Sequence, residues 1–451
     1  MPKWTAAAVS GAARSSAQAI TVVLLVVAPL MGMFQTLVML PPAIGSTASV
    51  RVAGEPSALF SMPRYDVMPL NARLTMTPPM GWNGYNHYQR TVTAATVESE
   101  ARAIVSSGMK AAGYTYVNLD GGWDLPRRSA GGTLQPDPAK FPQGIRPLAD
   151  YVHSLGLKFG IYTSAGLQNC AGTSAGSYGH YGVDAATFAS WGVDYIKLDW
   201  CYIPYPSHPK ATHRQLNEML AAQMGYALAL TGRAMVLDLN NPANDLPRSS
   251  TRVRANMWRT TSDIHDSYPS MVWNFTHNVN QLERGPGGWN DPDMLEIGNG
   301  GMSDSEYQSQ LSLWAEMAAP LIAGNDLATM SPATRSILTN LAVIAVDQDR
   351  LGRQGYPVAS ANGHWVLTKP LANGERAVVL FNQTNTSATI STTAAQVGLP
   401  DGARYSLLNL WTGAATETTG VISASVAPHS VVFYGIAKRV TRPVTAGSQS
   451  V

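Results

Sequence analysis

Eight short apolar runs recur between Met80 and Ala323, nearly all followed by a stretch with helical period. No other feature constrains the fold so tightly. The runs predict strands at 80–83, 114–120, 157–162, 193–199, 234–239, 256–260, 288–293 and 320–323. Helical patterns cover 93–112, 144–154, 184–191, 213–230, 271–282, 304–319 and 332–341. Regular strand–helix alternation implies a parallel sheet, because each crossover returns the chain to the same end. Eight units in about 270 residues suit closure into a (β/α)8 TIM barrel. An open doubly wound sheet is the alternative, but no G-x-G-x-x-G follows the first run.

Past Gly355 the helical period disappears. Strand patterns at 364–369, 375–382, 388–391, 405–410, 420–426 and 430–434 are separated by turn signals such as Asn362-Gly, Asn373-Gly and Asp401-Gly. These predict a C-terminal antiparallel β-sandwich domain. The α/β organisation expected is a signal peptide or signal anchor at 1–48, a lead-in at 49–75, the catalytic barrel at 76–354, the β-sandwich at 355–437 and a disordered tail at 438–451. The leader rests on Lys3 and Arg14 ahead of the uncharged run Ala19–Leu40 and the small residues 43–48. That pattern implies export, with membrane anchoring through this segment as the alternative. Either way the folded part lies outside the cytoplasm.

Charged residues make up only 13% of the chain against 45% hydrophobic, which is enough to build a core. A net charge of +2 with no basic block leaves no footprint for nucleic acid. Two cysteines, Cys170 and Cys201, allow one intramolecular disulfide and cannot make a four-ligand zinc site by themselves. His153, His180, His213 and His265 show no metal spacing and read as surface or packing histidines. No metal and no cofactor is expected.

In a barrel, chemistry collects at the C-terminal ends of the strands. Asp120, Asp199, Asp238, Asp263, Asp291 and Asp293 fall at or just past such ends, with Lys197, Arg259, Trp82, Trp123, Trp258 and Trp289. Carboxylates accept from hydroxyls and indoles cover the apolar face of a pyranose, so this is a composition for sugar. Two acids on different strands suit glycoside hydrolysis, one attacking and one protonating the leaving oxygen. Lys197 and Asp199 lie two apart on one strand, so they share a face. Lys197 is expected to lower the pKa of Asp199, the nucleophile. The bland alternative is a strand-end ion pair between them. Asp263 fits the acid/base, and Asp266 reads as a helix N-cap.

These residues carry a pattern that resembles the α-galactosidase (melibiase) family, glycoside hydrolase family 27, clan D. P-P-M-G-W-N stands at 78–83, D-Y-I-K-L-D-W-C at 194–201, G-G-W-N-D-P-D-M-L at 287–295 and A-A-P-L-I-A-G-N-D at 318–326. I-A-V-D-Q-D stands at 344–349 and N-L-W-T-G at 409–413. The resemblance implies a secreted, retaining exo-α-glycosidase acting on terminal α-linked galactosyl residues of an oligosaccharide or polysaccharide. Asp199 would be the nucleophile and Asp263 the acid/base. Trp82, Asp120, Lys197 and Arg259 would line the sugar pocket, with a disulfide between Cys170 and Cys201.

Two departures bear on the sugar. The family has two consecutive acids after the second strand, holding the 4- and 6-hydroxyls, and here the second is Gly121. The next position, often cysteine, is Gly122, and its usual partner position is Arg90. A family Glu that reads the 2-hydroxyl is replaced in Asn240-Asn241-Pro242, where Asn241 is taken as the substrate-binding residue. α-Glucosyl or isomaltosyl units, β-L-arabinopyranosyl units and a silent carbohydrate-binding homologue are the alternatives.

Overall fold

The computed structural model describes residues 72–240, 255–282, 285–400 and 402–439. The expected leader, Asn241 and most of the expected tail lie outside the described residues.

Eight strands form one parallel sheet: β1 Met80–Asn83, β2 Tyr116–Leu119, β3 Lys158–Ser164, β4 Tyr195–Asp199, β5 Val236–Asn240, β6 Met257–Arg259, β7 Trp289–Asp291 and β8 Leu321–Ala323. Each pairs with its predecessor from β2 to β7, and β1 also pairs with β8. The ring closes through Leu295, whose amide donates to Ile322 O at 2.8 Å and whose carbonyl accepts from Gly324 N at 2.9 Å. Strands buried on both faces read as continuous apolar runs, as a barrel wall requires. On β4 only Lys197 and Asp199 break that burial, and both face one side.

The expected helix over 93–112 is two, Ala94–Ser106 and Met109–Ala112. Gly108 separates them with φ +90°, a left-handed conformation that glycine adopts without strain. The pattern at 332–341 likewise divides into Pro332–Leu338 and Leu341–Asp347. Asn340 caps the second, its Oδ1 accepting from Ala342 N and Val343 N at 3.0 and 3.1 Å.

The C-terminal strands are β9 Tyr356–Ala361, β10 His364–Pro370, β11 Arg376–Asn382, β12 Ala388–Thr393, β13 Tyr405–Asn409, β14 Ala415–Thr418, β15 Val421–Val426 and β16 Val431–Lys438. They form a six-stranded antiparallel sheet, ordered β14-β13-β16-β11-β10-β9, and a two-stranded one of β12 and β15. Alternation on β11 explains how it packs. Ala377, Val379 and Phe381 join the barrel core, while Val378 and Leu380 face the small sheet's cluster. The sequence pattern missed β9 and β14, which are exposed edge strands without alternation.

The helix Asp304–Glu316 lies between barrel and β-sheet, and every residue from Tyr307 onward except Gln308 is buried. Buried Lys369 donates to its Ala315 O at 2.8 Å, and Trp411 Nε1 to its Ser312 Oγ at 2.9 Å. Burial pushes Glu316 and Asp347 up to about 8, with the Lys369 charge opposing.

Candidate active site

A cavity of about 760 Å³ opens at the C-terminal ends of the barrel strands. Asp120 follows β2, Asp199 ends β4, Asn240 ends β5, Arg259 ends β6 and Asp293 follows β7. All five line the cavity, with Lys197 and Asp263.

On one side the charges lock across strands. Lys197 Nζ donates to Asp120 Oδ2 at 2.7 Å, so its close ion pair is with Asp120 and not with Asp199. Asn83 Nδ2 reaches the same oxygen at 2.6 Å, and Gly121 N donates to Asp120 Oδ1 at 2.6 Å. Burial pulls the Lys197 pKa down, but Asp120 and then Asp199 outweigh it and hold the ammonium charged.

Asp199 Oδ1 accepts from Trp200 N at 3.0 Å and from Asn240 Nδ2 at 3.2 Å. Burial raises its carboxyl to about 6, and the Lys197 charge only moderates the rise. The Lys197 charge lowers the Asp199 pKa, as expected, but desolvation exceeds the attraction and the net shift is upward. Cys170 and Cys201 are joined in a disulfide, as the resemblance implies. Both sulfurs lie within 4.8 Å of an Asp199 carboxylate oxygen; being oxidised, they offer no thiolate to a metal.

On the other side Arg259 is the hub. Its Nη1 donates to Asn240 Oδ1 at 2.7 Å, and its Nη2 pairs with Asp263 at 3.1 Å and Asp293 at 3.0 Å. Asp263 has a side chain 83% exposed. Burial tends to raise its pKa, but Arg259, Lys197 and His265 together hold it below the ordinary carboxylate range. Asn240 thus bridges Arg259 to Asp199.

Several expected wall residues stand elsewhere. Trp82 is fully buried and donates its indole N–H to Asn325 O at 2.8 Å; it is not a wall of the cavity. Trp123 and Trp289 are equally buried, donating to Tyr162 O and Thr75 O at 3.0 and 2.8 Å. These indoles brace backbone from behind. Asp238 and Asp291 also lie in the barrel interior, where Tyr195 OH donates to Asp238 Oδ2 at 2.8 Å. Asp266 is no N-cap, since Ser267 precedes the helix Tyr268–Asn278; it accepts from Tyr307 OH at 2.9 Å and from Gly301 N.

The aromatic walls are Tyr85, Tyr162 and Trp200, with the Lys197 ammonium 5.9 and 5.8 Å from the two tyrosine ring centroids. Tyr162 is in register with Lys197 across β3 and β4, so aligning the strands of the sequence would have found it. Tyr85 lies in a short turn after β1, where no period marks it. Glu296 and His265 also line the cavity and had no sequence signal. Burial raises Glu296 to about 7, against hydrogen bonds from Asn86 and Asn299.

A closed parallel barrel with a paired-acid cavity at its C-terminal mouth is the architecture of a carbohydrate-active hydrolase. Residues 77–349 match the family model described as alpha galactosidase A, and 361–436 match the alpha galactosidase C-terminal beta sandwich domain. The chain belongs to this family of glycoside hydrolases. Its relatives include the alpha-galactosidase of Oryza sativa subsp. japonica, 42% identical over 80% of this chain and 85% of that one. The probable alpha-galactosidase of Dictyostelium discoideum is 43% identical over 81% and 93%. Among solved structures, alpha-galactosidase I from Mortierella vinacea superposes with a TM-score of 0.76 at 33% identity, covering 81% of this chain and 98% of that one.

Proposed function

We propose that the protein is an extracytoplasmic, retaining exo-α-glycosidase that releases terminal α-linked galactosyl units by double displacement. The observation that carries this reading is the convergence of Asp199 and Asp263 on one cavity, with Asp263 paired to Arg259 and Asp199 linked to the same Arg259 through Asn240. The galactosyl preference rests on the relatives, which are named alpha-galactosidases. The disulfide beside Asp199 supports a location outside the reducing cytoplasm. Among the described residues no helix is long and apolar enough to cross a membrane.

In the first step Asp199 attacks the anomeric carbon and Asp263 gives a proton to the leaving oxygen. Asp199 becomes an ester and loses its charge. Asp263, now anionic, takes a proton from water, which attacks the anomeric carbon, expels Asp199 as the carboxylate and releases the sugar with its configuration retained. Arg259 holds Asp263 below the ordinary carboxylate range. A sugar covering its exposed carboxylate removes water from it and raises its pKa toward the value an acid needs. Lys197, Asp120 and Asn240 present hydrogen-bonding groups to the hydroxyls.

The test is hydrolysis of aryl α-galactoside, α-glucoside and β-L-arabinopyranoside, with the first product anomer read by proton NMR. The α-galactoside is expected to turn over fastest and to give α-galactose first. Initial β-galactose would exclude double displacement, and activity that survives Asp263→Ala undiminished would exclude its role.

A further inference from the structure

Lys197 and Arg259, two cations that line the cavity, are spent on carboxylates. Arg90 lines the same cavity and makes no ion pair among the described residues. Its guanidinium makes a single long hydrogen bond there, from Nη1 to Thr173 Oγ1 at 3.4 Å.

The backbone holds Arg90 in place. Lys140 Nζ donates to Arg90 O at 2.7 Å and to Gly122 O at 2.8 Å, tying the loop after β1 to the loop after β2. A Cβ at Gly122 would stand 2.8 Å from Arg90 Cβ, so a side chain there would force these loops to shift. Gly121 is different. A Cβ there would meet nothing closer than Tyr162 Cε1 at 3.5 Å, an ordinary contact. A side chain would fit, and none is present. Gln89, on the same rim, holds φ +49°, a strained conformation for a residue with a side chain. The corner therefore combines open space with an exposed guanidinium that has no carboxylate partner among the described residues.

We propose that this corner takes an anionic group borne on C6 of the bound hexopyranose, with Arg90 as its counter-ion and Gly121 as the space it fills. The inference rests on the glycosidase reading above. In that reading C1 lies at Asp199 and the 4-hydroxyl meets the Asp120–Lys197 pair, so C6, two bonds from C4, would fall near the residue after Asp120. A carboxylate at position 121 would fill that space, pair with Arg90 and repel an anion. Glycine leaves Arg90 available for bidentate hydrogen bonding. The chemistry is an oxyanion at C6, either the carboxylate of a uronide or a sulfate ester on O6.

The experiment compares kcat/KM for aryl α-galactosiduronate and aryl 6-O-sulfo-α-galactoside with that for the neutral aryl α-galactoside. The two anionic substrates separate the two sources. At least one anionic-to-neutral ratio is expected to exceed one. Arg90→Gln should lower that ratio about 10-fold to 100-fold, the worth of a charge-assisted hydrogen bond. Arg90→Lys should restore part of it, and Gly121→Asp should bring it below one. Ratios at or below one for both anionic substrates overturn the proposal, as does a ratio that Arg90→Gln lowers less than threefold. Turnover of the neutral galactoside in that case leaves the glycosidase reading standing. A folded protein inert toward every glycoside defeats both.

Discussion

The two acids of the cavity occupy opposite surroundings. Asp199 is part of a strand, sunk among Tyr162, Trp200 and the disulfide, and burial raises it to about 6. Asp263 stands four residues beyond a strand, largely in water, and a guanidinium at 3.1 Å keeps it low. The proposed proton donor is thus the lowered acid and the proposed nucleophile the raised one, so it is Asp263 whose pKa must rise for its role. A strand-borne acid is fixed in place and bears desolvation permanently. A loop-borne acid is set by its partner and by whatever covers it. Substrate therefore changes Asp263 far more than Asp199.

The sharpest way to break this contrast is Asp199→Asn. The amide keeps its acceptor oxygen for Trp200 N and Asn240 but cannot attack. Hydrolysis of α-galactoside should fall about 10⁴-fold or more, as for loss of a nucleophile. A wild-type rate would remove Asp199 from the mechanism. Arg259→Met attacks the other side. It leaves buried Asp293 without its counter-ion and should destabilise the protein by about 3–5 kcal/mol in urea unfolding. A loss below about 1 kcal/mol would mean that the Arg259 network is not structural.

The seam between barrel and β-sheet extends the rule for buried acids. Glu316, raised to about 8, has a folded pKa above its unfolded one. Its stabilising contribution is fully present at acid pH and is lost as pH rises from about 5 to about 8. Glu316→Gln should therefore gain stability relative to wild type across that window, by about 1–3 kcal/mol. A pH-independent difference would show that Glu316 does not titrate there. The smallest expected effect is the acid limb of kcat/KM. Since Asp199 must be ionised to attack, activity should fall as pH drops through about 6, about tenfold per unit below that. A limb at 4 would place the Lys197 attraction above desolvation.

The barrel was legible because period separates strand from helix, and of the acids named for catalysis Asp199 ends a strand and Asp263 follows one by four residues. The indoles misled. Composition brings tryptophan and carboxylate to one end of the barrel, but it does not say which side of a loop an indole takes. Trp82 and Trp289 turn inward to satisfy backbone carbonyls, and Tyr85, Tyr162 and Trp200 form the wall instead. The sign of the Asp199 shift was equally illegible, because a Lys two residues away is visible in sequence and burial is not. The pairing of Lys197 with Asp120, 77 positions apart, needs strand register.

The helix Asp304–Glu316 has a consequence for biosynthesis. It leaves the ribosome with the barrel nearly complete, yet one of its faces packs against strands of the C-terminal sheet, the last of which is β16, Val431–Lys438. Until those strands arrive, an apolar surface stands open, and a chain ending at Asp349 would never cover it. Such a fragment should aggregate on expression; recovery of it as a soluble, active monomer would show that the barrel completes itself alone. The C-terminal strands thus supply the cover for a helix made long before them.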